Sequence, residues 1–158
     1  MTLPALTRAR HKAQTLQAAS AETLLRSFST ADAVLSKEWI VTNGGWQADC
    51  AKPQTLRLFE VANPDVEQCT LLYRARLRTE GLQGRAYLEM WCRVPGYPES
   101  FSRGLDNAVS GTTDWAACQT PFFLKKGQKP DLVRLNLVVE GTGRLWVSNA
   151  ALARLPLR

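Results

Sequence analysis

Histidine and closely spaced cysteines are scarce in this sequence of 158 residues. His11 is the only histidine, and no C-x-x-C pair occurs among Cys50, Cys69, Cys92 and Cys118. A zinc site needs several such ligands at short spacings, and Ser-His-Asp catalysis needs a histidine beside its nucleophile. The sequence therefore predicts no metal site, no cofactor and no catalytic triad. Cys92 lies among inward-facing apolar residues, which favours free thiols; two disulfides are the alternative if the protein is exported.

Long apolar runs are also missing. No segment approaches the roughly 18 to 20 apolar residues of a membrane-spanning helix, so we expect no membrane span. The basic stretch RARHK at residues 8–12 is followed by AQTLQAASAETLL, which Gln, Ser, Glu and Thr interrupt. A secretory signal has about 7 to 15 unbroken apolar residues after its basic start, so this is not one. Either the protein stays inside the cell, or a signal preceded this sequence and was removed.

Acidic residues are fewer than basic ones, with 14 Asp and Glu against 20 Lys and Arg and a formal net charge of +6. This balance favours acidic or neutral partners. No nucleic-acid-binding motif accompanies the charge, so nucleic acid is not an expected partner. The composition, 45% hydrophobic and 22% charged, is typical of a soluble globular domain with its own core.

Alternating apolar and polar residues fill most of the chain after residue 36. Turn signals separate these segments, among them Asn43-Gly44-Gly45, Glu80-Gly81 and a Gly-Thr-Gly turn at residues 141–143. Many short strands without intervening helices predict an all-β antiparallel sandwich or barrel. The segments are TLRLFEV (55–61), CTLLYRARLRT (69–79), GRAYLEMWCRVPG (84–96), DWAACQTPFFL (114–124), LVRLNLVVEG (132–141) and RLWVSNAALARL (144–155).

The N-terminal part of the chain has a different composition, rich in Ala, Leu, Thr, Gln and Arg. It predicts an arm at residues 1–32, with a helix at about residues 13–25, ahead of a β-sandwich domain at residues 33–158. The connection at residues 95–113 is longer than a hairpin needs, and long loops in compact domains are often functional. Its candidate contact residues are Tyr97, Phe101, Arg103 and Asp106.

The segment GRAYLEMWCRVPG shows the alternation most clearly. Ala86, Leu88, Met90, Cys92 and Val94 would face a core, which leaves a second set of residues on the outer face. That outer set combines two aromatic side chains with one acid and one base. It consists of Tyr87, Glu89, Trp91 and Arg93.

Four segments, taken in order, resemble the second half of a jelly roll of the galactose-binding-like superfamily, which includes many carbohydrate-binding modules. These segments are YRARLRT, GRAYLEMW, TTDWAACQTPFFL and KPDLVRLNLVVEGTGRLWV. The resemblance covers roughly residues 39–155. Its most specific part is a closing phrase carried by Val133, Leu135, Leu137, Gly141, Gly143 and Trp146. It implies an antiparallel jelly-roll β-sandwich and a secreted or cell-envelope protein. Such modules commonly end in Trp-x-Asp-Asp, but Ser148 and Asn149 stand here, which leaves a structural calcium without support.

The resemblance also implies that residues 86–94 lie beside residues 132–140, in a sheet whose outer face binds sugar. Sugar rings stack on Trp or Tyr, and their hydroxyl groups need polar partners such as Arg, Asn and Glu. Tyr87 and Trp91 would stack, and Arg57 and Phe59 could extend the groove. The expected ligand-binding residues are Tyr87, Glu89, Trp91, Arg93, Arg134, Asn136 and Glu140, with Val138 on the same face.

Several alternatives stand beside the prediction of a non-catalytic carbohydrate-binding module. The same face could dock another protein, as in an interaction or assembly domain. Glu89 and Glu140 could act as the two carboxylates of a small glycoside hydrolase. A second group of residues forms a basic stripe that could bind phosphate or sulfated polymers, or simply lie in solvent: Arg74, Arg76 and Arg78.

The tryptophans outside this face are expected to pack into the core. There are four of them: Trp39, Trp46, Trp115 and Trp146. The oligomeric state is left open.

Overall fold

The computed structural model describes residues 21–157, and nearly all of its regular structure is β-strand. The strands are β1 (Thr23–Ser27), β2 (Ile40–Thr42), β3 (Gly45–Cys50), β4 (Gln54–Ala62), β5 (Cys69–Arg93), β6 (Ser100–Arg103), β7 (Val109–Phe123) and β8 (Leu132–Pro156). A single 3-10 turn at Leu105–Asn107 precedes β7. Across residues 21–157 there is no helix with the length and apolarity to cross a membrane.

The predicted N-terminal helix falls partly outside the described residues. Residues 13–20 lie outside the described residues. The helix prediction for the end of this segment is wrong, because Thr23–Ser27 forms strand β1. This strand pairs with β8, and the following Phe28 is buried in the core. Sheet hydrogen bonds and the burial of Phe28 outweigh the helix propensity of the short Leu-rich stretch.

Two long strands, β5 and β8, organise the sheet. Each has 25 residues, and a straight strand of that length would span roughly 80 Å, about twice the diameter of a domain of this size. Both strands bend where Gly84 lies opposite Gly141. A Cβ at Gly84 would come 2.0 Å from the carbonyl oxygen of Glu140, and one at Gly141 would come 1.5 Å from that of Gln83. Only glycine fits where these two paired backbones come so close.

The bend divides the sheet into two layers. The front layer contains β4, residues 132–140 of β8, residues 83–93 of β5, and β6. The back layer contains β1, β2, β3, residues 144–156 of β8, residues 69–80 of β5, and residues 113–123 of β7. Apolar residues from both layers form one buried cluster, so the fold is the predicted antiparallel jelly-roll β-sandwich.

Two of the predicted turns are wrong. Glu80-Gly81 and residues 141–143 were expected to separate strands, but both lie inside continuous strands, at the bend. Their glycines release the backbone from steric limits, which serves a sharp bend as well as a hairpin turn. The hairpin predicted at Asn43-Gly44-Gly45 is confirmed, because Thr42 pairs with Gly45.

The predicted core tryptophans divide into two pairs. Trp39 and Trp46 are buried, as expected. The prediction for the other two is wrong, because Trp115 is 39% exposed and Trp146 is only partly buried, both on the outer face of the back layer. Trp115 follows the outward alternation of Ala117 and Gln119, and it lies at a bulge, where Asp114 and Trp115 together lie opposite Arg78 of β5.

All four cysteines are buried and none is paired with another, which agrees with the free thiols that the inward-facing position of Cys92 favours. Burial raises the pKa of the Cys92 thiol to about 12 and that of the Cys118 thiol to about 11. The thiolate is the reactive form of cysteine, so these two side chains pack as small apolar groups.

Candidate functional site

The outer face of the front layer brings most of the predicted site residues together. Residues 86–94 lie beside residues 132–140, as the resemblance implies. Glu89 lies opposite Asn136, and Trp91 lies opposite Arg134. On the outer side, β6 pairs Arg103 with Glu89 and Phe101 with Trp91. Directly opposed residues on one face of a sheet are close enough to contact, so side chains of β4, β5, β6 and β8 form one surface.

Trp91 and Phe101 form the aromatic part of this surface. Their ring centroids lie 4.8 Å apart, and the rings are tilted by 44°. Phe101 is 46% exposed, whereas Trp91 is half-buried. The guanidinium of Arg103 lies 4.3 Å from the centre of the Phe101 ring. A partly exposed aromatic pair beside a cation provides an apolar surface with a polar margin.

Glu89 lies beneath this aromatic pair and is only 3% exposed. Its Oε1 accepts hydrogen bonds from Trp91 Nε1 at 2.8 Å and from Asn136 Nδ2 at 3.1 Å. Its Oε2 accepts one from Arg103 Nε at 2.9 Å. The carboxylate therefore fixes an aromatic ring, an amide and a guanidinium at once. In this arrangement Glu89 orients the residues of the groove and offers no free oxygen to a ligand.

A cavity of about 420 Å³ opens beside the aromatic pair, and we call it the front groove. Arg134 lies between two carboxylates, 3.6 Å from Glu60 and 3.7 Å from Glu99, and its Nε has no hydrogen-bond partner. Ion pairs of this length leave a guanidinium incompletely satisfied. The front groove is lined by Thr55, Arg57, Glu89, Trp91, Glu99, Arg103, Arg134 and Asn136.

The remaining predicted residues of β5 and β8 lie at the two ends of the outer face of the front layer. Tyr87 is 3% exposed, and its hydroxyl donates to Glu140 Oε2 at 2.7 Å, so its ring is not available for stacking. Arg85 donates to Glu140 Oε1 at 2.7 Å. The hydrogen bond from Arg85, followed by that from Tyr87, lowers the pKa of Glu140. At the other end, Arg93 pairs with Asp131 at 2.8 Å.

Some predicted site residues lie elsewhere. Phe59 was expected to extend the groove, but it is 3% exposed and stacks on Phe28, because a bulge beside Arg57 turns both Leu58 and Phe59 inward. The exposed Tyr97 and Asp106 do not line the front groove.

Two residues that line the groove were not predicted. Thr55 follows the same outward alternation as Arg57, so the pattern of β4 contained a signal for it. Glu99 lies just before β6, and nothing in the sequence distinguished it from the other loop residues.

Glu89 and Glu140 do not form a hydrolytic pair. Glu140 lies opposite Arg85, four residues along β5 from Glu89, which is roughly 13 Å at the backbone. Glycosidases place their carboxyl groups about 5 to 9.5 Å apart. Both carboxylates are also held by hydrogen-bonding partners. Within residues 21–157 no group of three or more His, Cys, Asp or Glu side chains is placed to hold a metal ion.

No protein-family model and no curated protein matches the sequence. Solved structures do match. The CBM22-1 xylan-binding domain from Paenibacillus barcinonensis is similar at a TM-score of 0.54 and 11% identity, over 87% of this chain and 98% of that one. The CBM22-1 and GH10 modules of a Clostridium thermocellum endo-1,4-beta-D-xylanase, complexed with xylohexaose, are similar at 0.53 and 8%, over 87% of this chain and 26% of that one.

A viral protein shares the architecture as well. The structure of infectious bursal disease virus, Gx strain, is similar at a TM-score of 0.50 and 15% identity, over 82% of this chain and 31% of that one. Identities this low establish the fold alone, and a fold can carry several functions. The chain has the jelly-roll fold of carbohydrate-binding modules.

Proposed function

We propose that this protein is a non-catalytic module that binds a polysaccharide chain in the front groove. The observation that supports it best is the aromatic pair of Trp91 and Phe101 beside a polar cavity. A sugar ring has apolar C–H faces that stack on aromatic side chains and hydroxyl groups at its edge that exchange hydrogen bonds. Arg57, Arg103 and Arg134 provide donors around the cavity, and Glu99 provides an acceptor.

The roles within the groove differ from residue to residue. Phe101 and Trp91 would stack on the sugar, while the buried Glu89 holds Trp91 and Arg103 in place. Pre-organisation of this kind lowers the entropic cost of binding. Tyr87 and Glu140 would support one end of the site without contacting the ligand. A polysaccharide ligand would place the protein outside the cell or in its envelope.

Phe101→Ala tests the proposal most directly, because Phe101 is exposed and can be removed without opening the core. We expect the wild type to bind soluble polysaccharides and Phe101→Ala to lose roughly 5- to 150-fold in affinity, by analogy with about 1–3 kcal/mol for a stacked ring. Titration calorimetry against a panel that includes xylan and xylohexaose measures this loss. Stacking does not depend on charge, so the loss should be the same at low and high salt.

Tyr97→Ala is the matched control. Tyr97 is also an exposed aromatic residue, 50% exposed, but it does not line the front groove, whereas Phe101 borders the groove through its contact with Trp91. It should bind as the wild type does. Equal binding by Phe101→Ala and wild type would mean that the polysaccharide binds elsewhere on the protein. If the wild type binds no polysaccharide on the panel, the proposal fails, and the protein-interaction alternative would have to account for the same surface.

A further inference from the structure

A second cleft lies on the opposite side of the molecule, on the outer face of the back layer. It has a volume of about 420 Å³, and none of the acidic residues within 21–157 lines it. Its polar lining consists of two guanidinium groups and three side-chain amides, which makes it a cationic cavity that is rich in hydrogen-bond donors. These residues are Arg74, Arg76, Asn107, Gln119 and Asn149.

The two arginines of this cleft differ in their partners. Arg74 forms an ion pair with Glu22, which precedes β1. Arg76 is exposed and has no ion pair among residues 21–157. An arginine fork that lines a cleft without a carboxylate partner is suited to bind an anionic group in a bidentate manner.

Strand irregularities form the cleft and orient its amides. In β8, Asn149 and Ala150 together oppose the single residue Ala75, and Asn149 has a left-handed backbone with φ of 53°. Asn is among the residues that tolerate this conformation. Across the cleft, Asn107 Oδ1 accepts a hydrogen bond from the backbone N–H of Gln119 at 3.1 Å. This bond leaves the amide nitrogen of Asn107 as a donor.

An aromatic row lies next to the cleft on the same outer face. It consists of Trp146 and Trp115, with Arg78 between them. The guanidinium of Arg78 lies 4.7 Å from the centre of the Trp146 ring, and Trp146 Nε1 donates to Gln47 at 3.1 Å. Trp115 lies on the other side of Arg78, at the bulge in β7. Arg78 and Arg76 are two residues apart on β5, which places the row about 7 Å from the cleft. A ligand of a few sugar units can reach both.

We propose that this back face is a second binding site, which takes an anionic group carried by a polysaccharide. The carboxylate of a uronic acid and a sulfate ester share the required chemistry. Arg76 binds the anionic group, the amides of Asn107, Gln119 and Asn149 bind neighbouring oxygens, and Trp115 packs against a sugar ring. Glu22 neutralises Arg74 but does not line the cleft, so the guanidinium of Arg76, which has no ion pair within residues 21–157, and the net charge of +6 complement such a ligand.

The test compares native glucuronoxylan with the same polymer after chemical reduction of its carboxyl groups. We expect the wild type to bind the native polymer about tenfold more tightly at low salt, the size of one charge-assisted hydrogen bond. Arg76→Gln should reduce this ratio to about one and leave binding of the reduced polymer unchanged. Higher salt should also lower the ratio. A parallel comparison of dextran sulfate with dextran separates sulfate from carboxylate recognition.

Arg144→Gln is the matched control, because Arg144 is also exposed on the back layer but pairs with Asp49 at 2.7 Å, away from the cleft. It removes the same charge and should keep the tenfold ratio. The inference is overturned if neither anionic polymer is preferred over its neutral form, or if Arg144→Gln lowers the ratio as much as Arg76→Gln does. Binding of the neutral polymers reports separately on the front groove, so the two proposals can fail independently.

Discussion

At the scale of single residues, the front groove depends on a carboxylate that a simple alternating pattern would leave in solvent. The sequence correctly placed Glu89 on the outer face, but it could not show that Trp91, Arg103 and Asn136 cover it. Arg103 comes from β6, inside a segment expected to be a loop, so this coverage depends on a strand that was not predicted. The residue types of the site could be predicted from the sequence. The sequence could not show which of these residues are free to touch a ligand and which hold the others in place.

Glu89→Gln should therefore destabilise the fold and weaken ligand binding. The substitution keeps one oxygen acceptor and removes the charge that pairs with Arg103, which leaves donors without partners in a buried position. We expect a loss of about 1–3 kcal/mol in the free energy of unfolding, measured by urea denaturation. Glu99→Gln is the control: its ion pair with Arg134 is long at 3.7 Å, so a change within about 0.5 kcal/mol is expected. Equal effects of the two variants would contradict a supporting role for Glu89.

At the scale of strands, bulges and bends account for the errors in the sequence-based prediction. Period-two alternation correctly identified the strand segments and the face that carries Trp91. A bulge adds a residue and reverses the faces beyond it, which is why Phe59 is buried. Trp115 was expected in the core, although the alternation of β7 places it on the outer face with Ala117 and Gln119. Glycine has the same local freedom in a turn and in a bend, so the Gly-Thr-Gly stretch could not reveal which one it forms.

Gly141→Ala tests the bend, because the added methyl group would lie 1.5 Å from the carbonyl oxygen of Gln83. The two paired strands must separate at this point, and we expect a loss of roughly 2–4 kcal/mol in the free energy of unfolding. Gly127→Ala is the control, because Gly127 has a positive φ of 85° but no neighbour within 4 Å of a new Cβ. Only backbone strain of about 1–2 kcal/mol applies there. A Gly141→Ala variant no less stable than Gly127→Ala would mean that the two backbones do not approach this closely at Gly141.

At the scale of the whole molecule, the sandwich has one shared core and two chemically different outer faces. The front face is largely neutralised by its own ion pairs, whereas the back-face cleft is lined by arginines and amides. The core between them contains all four thiols. A polysaccharide-binding protein outside the cell would meet an oxidising environment, in which exposed thiols form disulfides. Burial in the shared core is what would keep these cysteines reduced there.

The protein should consequently resist thiol reagents until it unfolds. At pH 8 the raised pKa values of Cys92 and Cys118, about 12 and about 11, leave very little thiolate, and burial blocks access to all four side chains. Titration with an aromatic disulfide reagent should detect almost no reactive thiol in the native protein and all four in denaturant without reductant. Val41→Cys, at a position that is 58% exposed on β2, should add one fast-reacting thiol as a positive control. Fast reaction of the native wild type would contradict the tightly packed core, and fewer than four thiols in denaturant would mean that disulfides form.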